Sequence, residues 1–256
     1  MKLNTLTLQA APAAAWAELH AQACAPYRRT SRWAWHWARG KLGIDPVFRG
    51  MLERGDLPAG ARVVDIGCGQ GLVASLLQAC SGLQDNGHWP AAWPARASAR
   101  SYTGIELMPK DVARARAALH GLSLAPHFVC ADMCTAAFPP CDLVVILDVL
   151  HYVDHAAQDA VLHRARAALS SHGRLLLRVG DAASTRGFAI SQWVDRVVTL
   201  ARGHRVPPTF SRTLVQWTQL LQGLGFTVHA VPQSQGTPFA NVLLVADLPG
   251  KELTKT

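Results

Sequence analysis

The sequence predicts an α/β fold, a mostly parallel sheet wound on both faces by helices, and three observations carry that expectation. Apolar runs of strand length alternate with amphipathic segments of helix length. The run Arg62–Ile66 passes through Gly67-Cys68-Gly69-Gln70-Gly71 into an apolar segment, Leu72 to Ala79, of helix type. Asp142 to Leu147 is a continuous apolar run, the mark of a strand buried on both faces.

The glycine turn is the most informative stretch. Glycines let a ligand approach the main chain, and the N–H groups of a following helix attract an anionic group. A dinucleotide fingerprint wants G-x-G-x-x-G, but after Gly67 and Gly69 its last position is Leu72. The strand also ends in Asp65. A carboxylate about 6 Å from a pyrophosphate costs about 3 kcal/mol per charge pair at an effective dielectric of 20. A ligand carrying an ammonium and a sulfonium is instead attracted, and S-adenosylmethionine carries both, with one carboxylate for the helix N-terminus.

Taken in order, Ala11 to Ala25 reads as a helix, and Arg28 to Lys41 as a second one stopped by Gly40. Asp45-Pro46 starts a third, continued by Val47 to Arg54. Residues 1–56 are expected to form an N-terminal helical cap on a domain spanning 57–248. Trp33, Trp35 and Trp37 in that cap fit core packing or an aromatic wall for a flat substrate. After the first sheet helix, Ser81 to Arg100 has no apolar period and two Trp-Pro pairs. It reads as an insertion, either disordered or a lid. Further strands are expected at Ser101 to Glu106, His127 to Met133, Gly173 to Gly180, Phe226 to Val231 and Ala240 to Ala246, seven in all with the two above. Helices are expected at Asp111 to Leu119, Asp154 to Leu169 and Phe188 to Arg202, and from a Ser211 cap through Leu221.

Composition bounds the function. The chain has 256 residues, half of them hydrophobic and 16% charged, which argues against disorder. No apolar run approaches the roughly 18 residues that span a bilayer. Met1 to Ala17 lacks a signal-peptide core, so a cytoplasmic protein is expected. Six cysteines are too sparse for a disulfide scaffold, and Cys130, Cys134 and Cys141 near His127 fit no zinc spacing. Tyr27 to Arg62 holds eight Arg or Lys against three acids, a basic front suited to an acidic partner such as nucleic acid, an acyl carrier protein, coenzyme A or a membrane surface.

The order Asp65, Gly67, Gly69, Gly71, then acids at later strand ends, resembles the class I S-adenosylmethionine-dependent methyltransferases over roughly Leu57 to Asp247. The resemblance implies a Rossmann-like seven-stranded sheet with an antiparallel last strand. It implies S-adenosylmethionine as cofactor, held by Asp65, Gly67, Cys68, Gly69 and Gly71. Glu106, closing the second strand, takes the ribose hydroxyls, with Leu107 beside it. Asp132 and Met133 take the adenine, and Asp148 closes the fourth strand at the ligand end. The Asn/Asp-Pro-Pro-Tyr turn of base-amine methyltransferases is absent, and His151 with Tyr152 stands there instead. His151 is the candidate base, since an ordinary histidine suits proton removal near neutral pH, or it packs on the cofactor.

A narrower resemblance lies in Arg39-Gly40-Lys41-Leu42, Asp45-Pro46-Val47-Phe48 and Ser234 to Val242, which look like the methyltransferases of bacterial aryl polyene (xanthomonadin-type) pigment clusters. It implies O- or C-methylation of a hydroxyphenyl acceptor, free or on an acyl carrier protein. The alternatives are an RNA methyltransferase using the basic cap and a non-catalytic S-adenosylmethionine-binding protein.

Overall fold

The computed structural model describes residues 12–94, 96–180, 209–233 and 241–250. One seven-stranded sheet contains β1 (Ala61–Ile66), β2 (Ala99–Glu106), β3 (His127–Cys130), β4 (Cys141–Leu147), β5 (Leu169–Gly180), β6 (Thr227–Pro232) and β7 (Asn241–Asp247). The strand order is β3-β2-β1-β4-β5-β7-β6. β1 to β5 pair in parallel, while β7 runs against both β5 and β6. The expected parallel sheet with an antiparallel last strand is what the chain builds. The order reverses between β1 and β4, and that reversal opens a crevice at the strands' carboxyl ends.

Helices α1 (Pro12–Cys24), α2 (Arg32–Ile44), α3 (Pro46–Arg54), α4 (Leu72–Asp85) and α5 (Pro109–Leu119) precede β3, and α6 (His155–Ala168) and α7 (Leu214–Gly223) follow β4 and β5. Successive strand residues face opposite layers. Leu143, Val145, Leu176, Leu243 and Val245 join one apolar cluster with α1, α3, α4 and α5. Val144, Ile146, Leu175, Leu177 and Leu244 join the other with α6 and α7. The N-terminal helices, α2 with its Ala34, Ala38 and Leu42 included, thus share a core with one sheet face.

Several boundaries differ from expectation for local reasons. Gly40 does not stop α2, because Leu42 beyond it is buried and the helix continues to Ile44. Thr213, not Ser211, caps α7, through a reciprocal capping box with Gln216. The insertion expected at 81–100 is shorter. Its first five residues extend α4, whose buried stripe carries on through Cys80 and Leu83, and its last two open β2. The described residues of what remains pack against the domain. Trp93 is buried and meets Trp89 edge-on at 5.1 Å. Ser98 accepts from the N–H groups of Gly60 and Ala61, which ties the loop to the amino end of β1, opposite the crevice. The helix expected at 188–202 lies outside the described residues.

α3 is fastened at both ends to β5. Arg178, on the face toward α3, donates to both oxygens of Asp45, the α3 N-cap residue, and to Asp148 after β4. Four residues earlier on the same face of β5, Arg174 donates to the carbonyls of Gly55 and Asp56, just past the α3 C-terminus. Lys41 adds a contact to Asp45 at 2.7 Å and to Asp148 at 3.8 Å. Burial works to raise the pKa of both aspartates, but Arg178 and Lys41 prevail and hold both below the usual carboxylate range. Removing one partner of a buried pair strands the other charges. Arg178→Met is expected to lower the unfolding free energy by about 3–5 kcal/mol in urea titrations; a loss under about 1 kcal/mol would mean that Lys41 alone satisfies the two carboxylates.

Candidate active site

Gly67, Gly69 and Gly71 all take positive φ, at 74°, 53° and 76°. Two of them also leave no room for a side chain. A Cβ on Gly67 would lie 2.4 Å from Val149, and one on Gly71 would lie 2.8 Å from Phe128. A Cβ on Gly69 would meet only open space, so the turn faces the crevice there.

Glu106 holds this turn from the neighbouring strand. One of its carboxylate oxygens accepts from the Gly69 N–H at 2.9 Å, the other from the Met108 N–H at 2.8 Å. A carboxylate has about four lone-pair sites, so acceptor capacity remains on both oxygens. Burial raises the Glu106 pKa above its ordinary value, against the pull of the Met108 and Gly69 N–H groups. Leu107, the next residue, leaves 61% of its surface exposed at the mouth of the crevice.

Asp65 lies under the turn rather than in its mouth. It is 3% exposed, on the same face of β1 as Val63, and the Tyr102 hydroxyl donates to it. Burial pushes its carboxyl up to about 7, with Glu106 adding to the rise and the Tyr102 hydrogen bond opposing it. Cys68 is buried in the same place, and a Cβ on Gly104 would come within 2.6 Å of its Sγ. From the N-terminal segment, Tyr27 is fully buried and donates to the Gln70 carbonyl at 2.8 Å. Tyr27, Tyr102 and Gly104 carry no motif, and sequence reasoning missed all three.

The other expected site residues gather along the same edge. Asp132 follows β3, beside Glu106, whose carbonyl accepts from the Ala131 N–H. The Asp132 carboxylate accepts from the Cys134 N–H at 2.8 Å, capping its own turn. The Met133 carbonyl is held by Arg164. Asp148 follows β4 with φ 59°, a conformation that Asp tolerates better than most residues, and is bound by Arg178. His151 and Tyr152 occupy a short 3-10 helix (Leu150–Tyr152), their rings 4.1 Å apart. The His151 carbonyl accepts from the Phe210 N–H, which fixes that helix against the chain entering α7. Arg178 lies within the strand expected at Gly173 to Gly180, and its bridge to Asp45 joins positions 133 residues apart.

These residues fit a nucleoside-bearing cation. The crevice has an open glycine face, a carboxylate with spare acceptor capacity one strand away, and an exposed apolar side chain beside it.

Residues 34–231 match a family model described as a methyltransferase domain. The chain belongs to that family, and its cofactor is S-adenosylmethionine. Among solved structures the fold is similar to the magnesium protoporphyrin IX methyltransferase of Synechocystis, at 17% identity and a TM-score of 0.55 over 91% of this chain and 98% of that one. It is also similar to an O-methyltransferase family protein of Burkholderia thailandensis (17% identity, TM-score 0.59, 88% of this chain and 63% of that one). A third is an O-methyltransferase family 2 protein of Planctomyces limnophilus in complex with apigenin (16% identity, TM-score 0.53, 91% and 64%). The methyltransferase thus spans somewhat under two thirds of these last two proteins' length. At such identities the likeness is one of fold. No curated protein sequence matches the chain.

Asp65 yields a prediction with a definite sign. Its pKa is about 7 in the fold against an ordinary value of 3.8, so the fold favours the protonated form. That contribution is fully present below about pH 4 and is lost as pH rises to about 7. Relative to Asp65→Asn, the wild type should therefore lose stability steadily between pH 4 and pH 7 in urea titrations. A stability difference that stays flat across this range would show that Asp65 does not titrate there.

Proposed function

We propose that the methyltransferase methylates a small aromatic acceptor of hydroxyphenyl type at the carboxyl ends of β1 and β4. The observation that supports a methyl-donor cofactor in this crevice is the Glu106 clamp, which sets an open glycine face beside a carboxylate with spare acceptor capacity. In this reading Glu106 accepts the ribose hydroxyls, Leu107 lies against the adenine, and Asp132 with the Met133 N–H faces the adenine edge. Asp65 acts one layer below, supporting the turn through Tyr102. Asp148 helps shape the methionine end while its charge is balanced by Arg178.

S-adenosylmethionine supplies a methyl group already activated on a sulfonium. The protein's task is then to hold the acceptor in line, and such positioning can contribute about 7–11 kcal/mol. In this reading His151 takes the phenol proton, for O-methylation directly or to activate the ring for C-methylation. Tyr152, packed on the His151 ring, limits the angles that ring can take. The likeness of Arg39 to Leu42 and Asp45 to Phe48 to pigment-cluster methyltransferases supports the hydroxyphenyl class and its presentation as a carrier-protein thioester. Lys41 and Asp45 of those segments reach Asp148 and Arg178 beside the crevice. The remaining segment, 234–242, lies almost wholly outside the described residues. The small-molecule neighbours, one in complex with apigenin, are in keeping with this acceptor class.

The test is methyl transfer to hydroxyphenyl acids and their carrier-protein thioesters, read as a mass gain of one methylene per acceptor. Product from either form supports the proposal; product from neither, with the cofactor bound, contradicts the acceptor class. His151→Ala is expected to lower kcat by about 10²–10⁴-fold, the usual range for a positioned acid or base, while S-adenosylhomocysteine affinity stays unchanged. Unaltered turnover would remove His151 from the chemistry.

A further inference from the structure

Four arginines near the crevice serve no purpose in the site described so far. Arg28, Arg29, Arg32 and Arg39 are exposed, and none makes an ion pair among the described residues. No acid occurs between Glu18 and Asp45. At about 100° per residue, Arg32, His36, Arg39 and Gly43 form one stripe along α2, while Trp33, Trp37, Gly40 and Ile44 form a second stripe beside it. Ala34, Ala38 and Leu42 are buried on the opposite face. Ile44 is 78% exposed and Trp33 49%, so the apolar stripe meets solvent at both ends of the helix.

The four large apolar side chains that stay exposed among the described residues are Trp33, Ile44, Leu107 and Val215. All four lie toward the carboxyl-end edge of the sheet. Leu107 follows β2, Val215 opens α7 beside the 3-10 helix of His151, and Lys41 joins α2 to Asp148.

We propose that the outer face of α2, with the turn before it, docks on an anionic lipid bilayer. A single helix with parallel basic and aromatic stripes suits a plane in which cations meet phosphates and Trp and Ile enter the headgroup boundary. A nucleic acid fits less well, because base stacking needs free ring faces. The Arg28 and Arg39 guanidinium carbons lie 4.6 and 4.8 Å from the Trp35 ring centre, and Trp33 is stacked on Trp37 with Arg114 at 4.6 Å. The proposal does not depend on the identity of the acceptor.

The experiment is co-sedimentation of the full chain with vesicles of equal phosphatidylglycerol and phosphatidylcholine, against phosphatidylcholine alone, at low and high salt. S-adenosylhomocysteine binding by each variant serves as the folding control. Wild type should partition onto the anionic vesicles only and be released by salt. Arg32→Gln and Arg39→Gln should each weaken partitioning about fivefold, the equivalent of about 1 kcal/mol per charge. The double variant Trp33→Ser/Ile44→Ser should weaken it further while still binding S-adenosylhomocysteine. Equal binding to both vesicle types, variants that partition like wild type, or capture of an RNA oligonucleotide or an acidic carrier protein without vesicle binding would overturn the proposal.

Discussion

The carboxylate of Glu106 is the constraint on which the site depends. Each of its oxygens takes one main-chain N–H, from Gly69 on one strand's turn and from Met108 on the next. The bond to Gly69 fixes the height of the glycine turn against β2. The bond to Met108 fixes the direction in which the chain leaves β2 for α5, and so where Leu107 points. A carboxylate held this way is pre-oriented, and a ligand hydroxyl that meets it orders little new structure. The glycines complete the arrangement from below, since Val149 and Phe128 fill the space their side chains would need.

The N-terminal segment belongs to the same construction. Tyr27 reaches the Gln70 carbonyl within the turn, and Asp45 reaches Arg178 at the end of β5. Helices that precede the sheet in sequence thereby set the geometry of two of its carboxyl ends. Arg178 is 2% exposed and faces two carboxylates, with Lys41 supplying the second cation. Such a cluster contributes little net stability compared with an apolar replacement of the whole, but it penalises any arrangement that separates its members. Its effect here is to specify where the corner between α2 and α3 lies over the crevice.

Much of this was legible in the sequence, and what was not has physical reasons. The glycine turn, the seven strands and the acid closing β2 announce themselves through local pattern, because strand burial and positive φ restrict residue type directly. Long-range pairs leave no such mark. Lys41 and Asp45 stand one helical turn apart and could be paired by spacing, whereas the partnership of Asp45 with Arg178 required the fold. Asp65 was read as the acid that ends the first strand; that strand alternation sets it beneath the turn, with Tyr102, required the fold. The stretch from Ser81 to Arg100 misled because Ser, Gly and Pro signal loops even where a buried stripe carries a helix onward.

Assigning cofactor binding to the Glu106-clamped turn makes the affinity for an adenosyl ligand depend on that one carboxylate. Calorimetric titration of S-adenosylhomocysteine into wild type and Glu106→Ala, with NAD as control, tests it most directly. Wild type should bind the homocysteine ligand and not NAD, and the variant should lose about 1.5–3 kcal/mol of that binding, the range for a hydrogen bond to a charged group. Equal affinity in the two proteins, or preference for NAD, would contradict it.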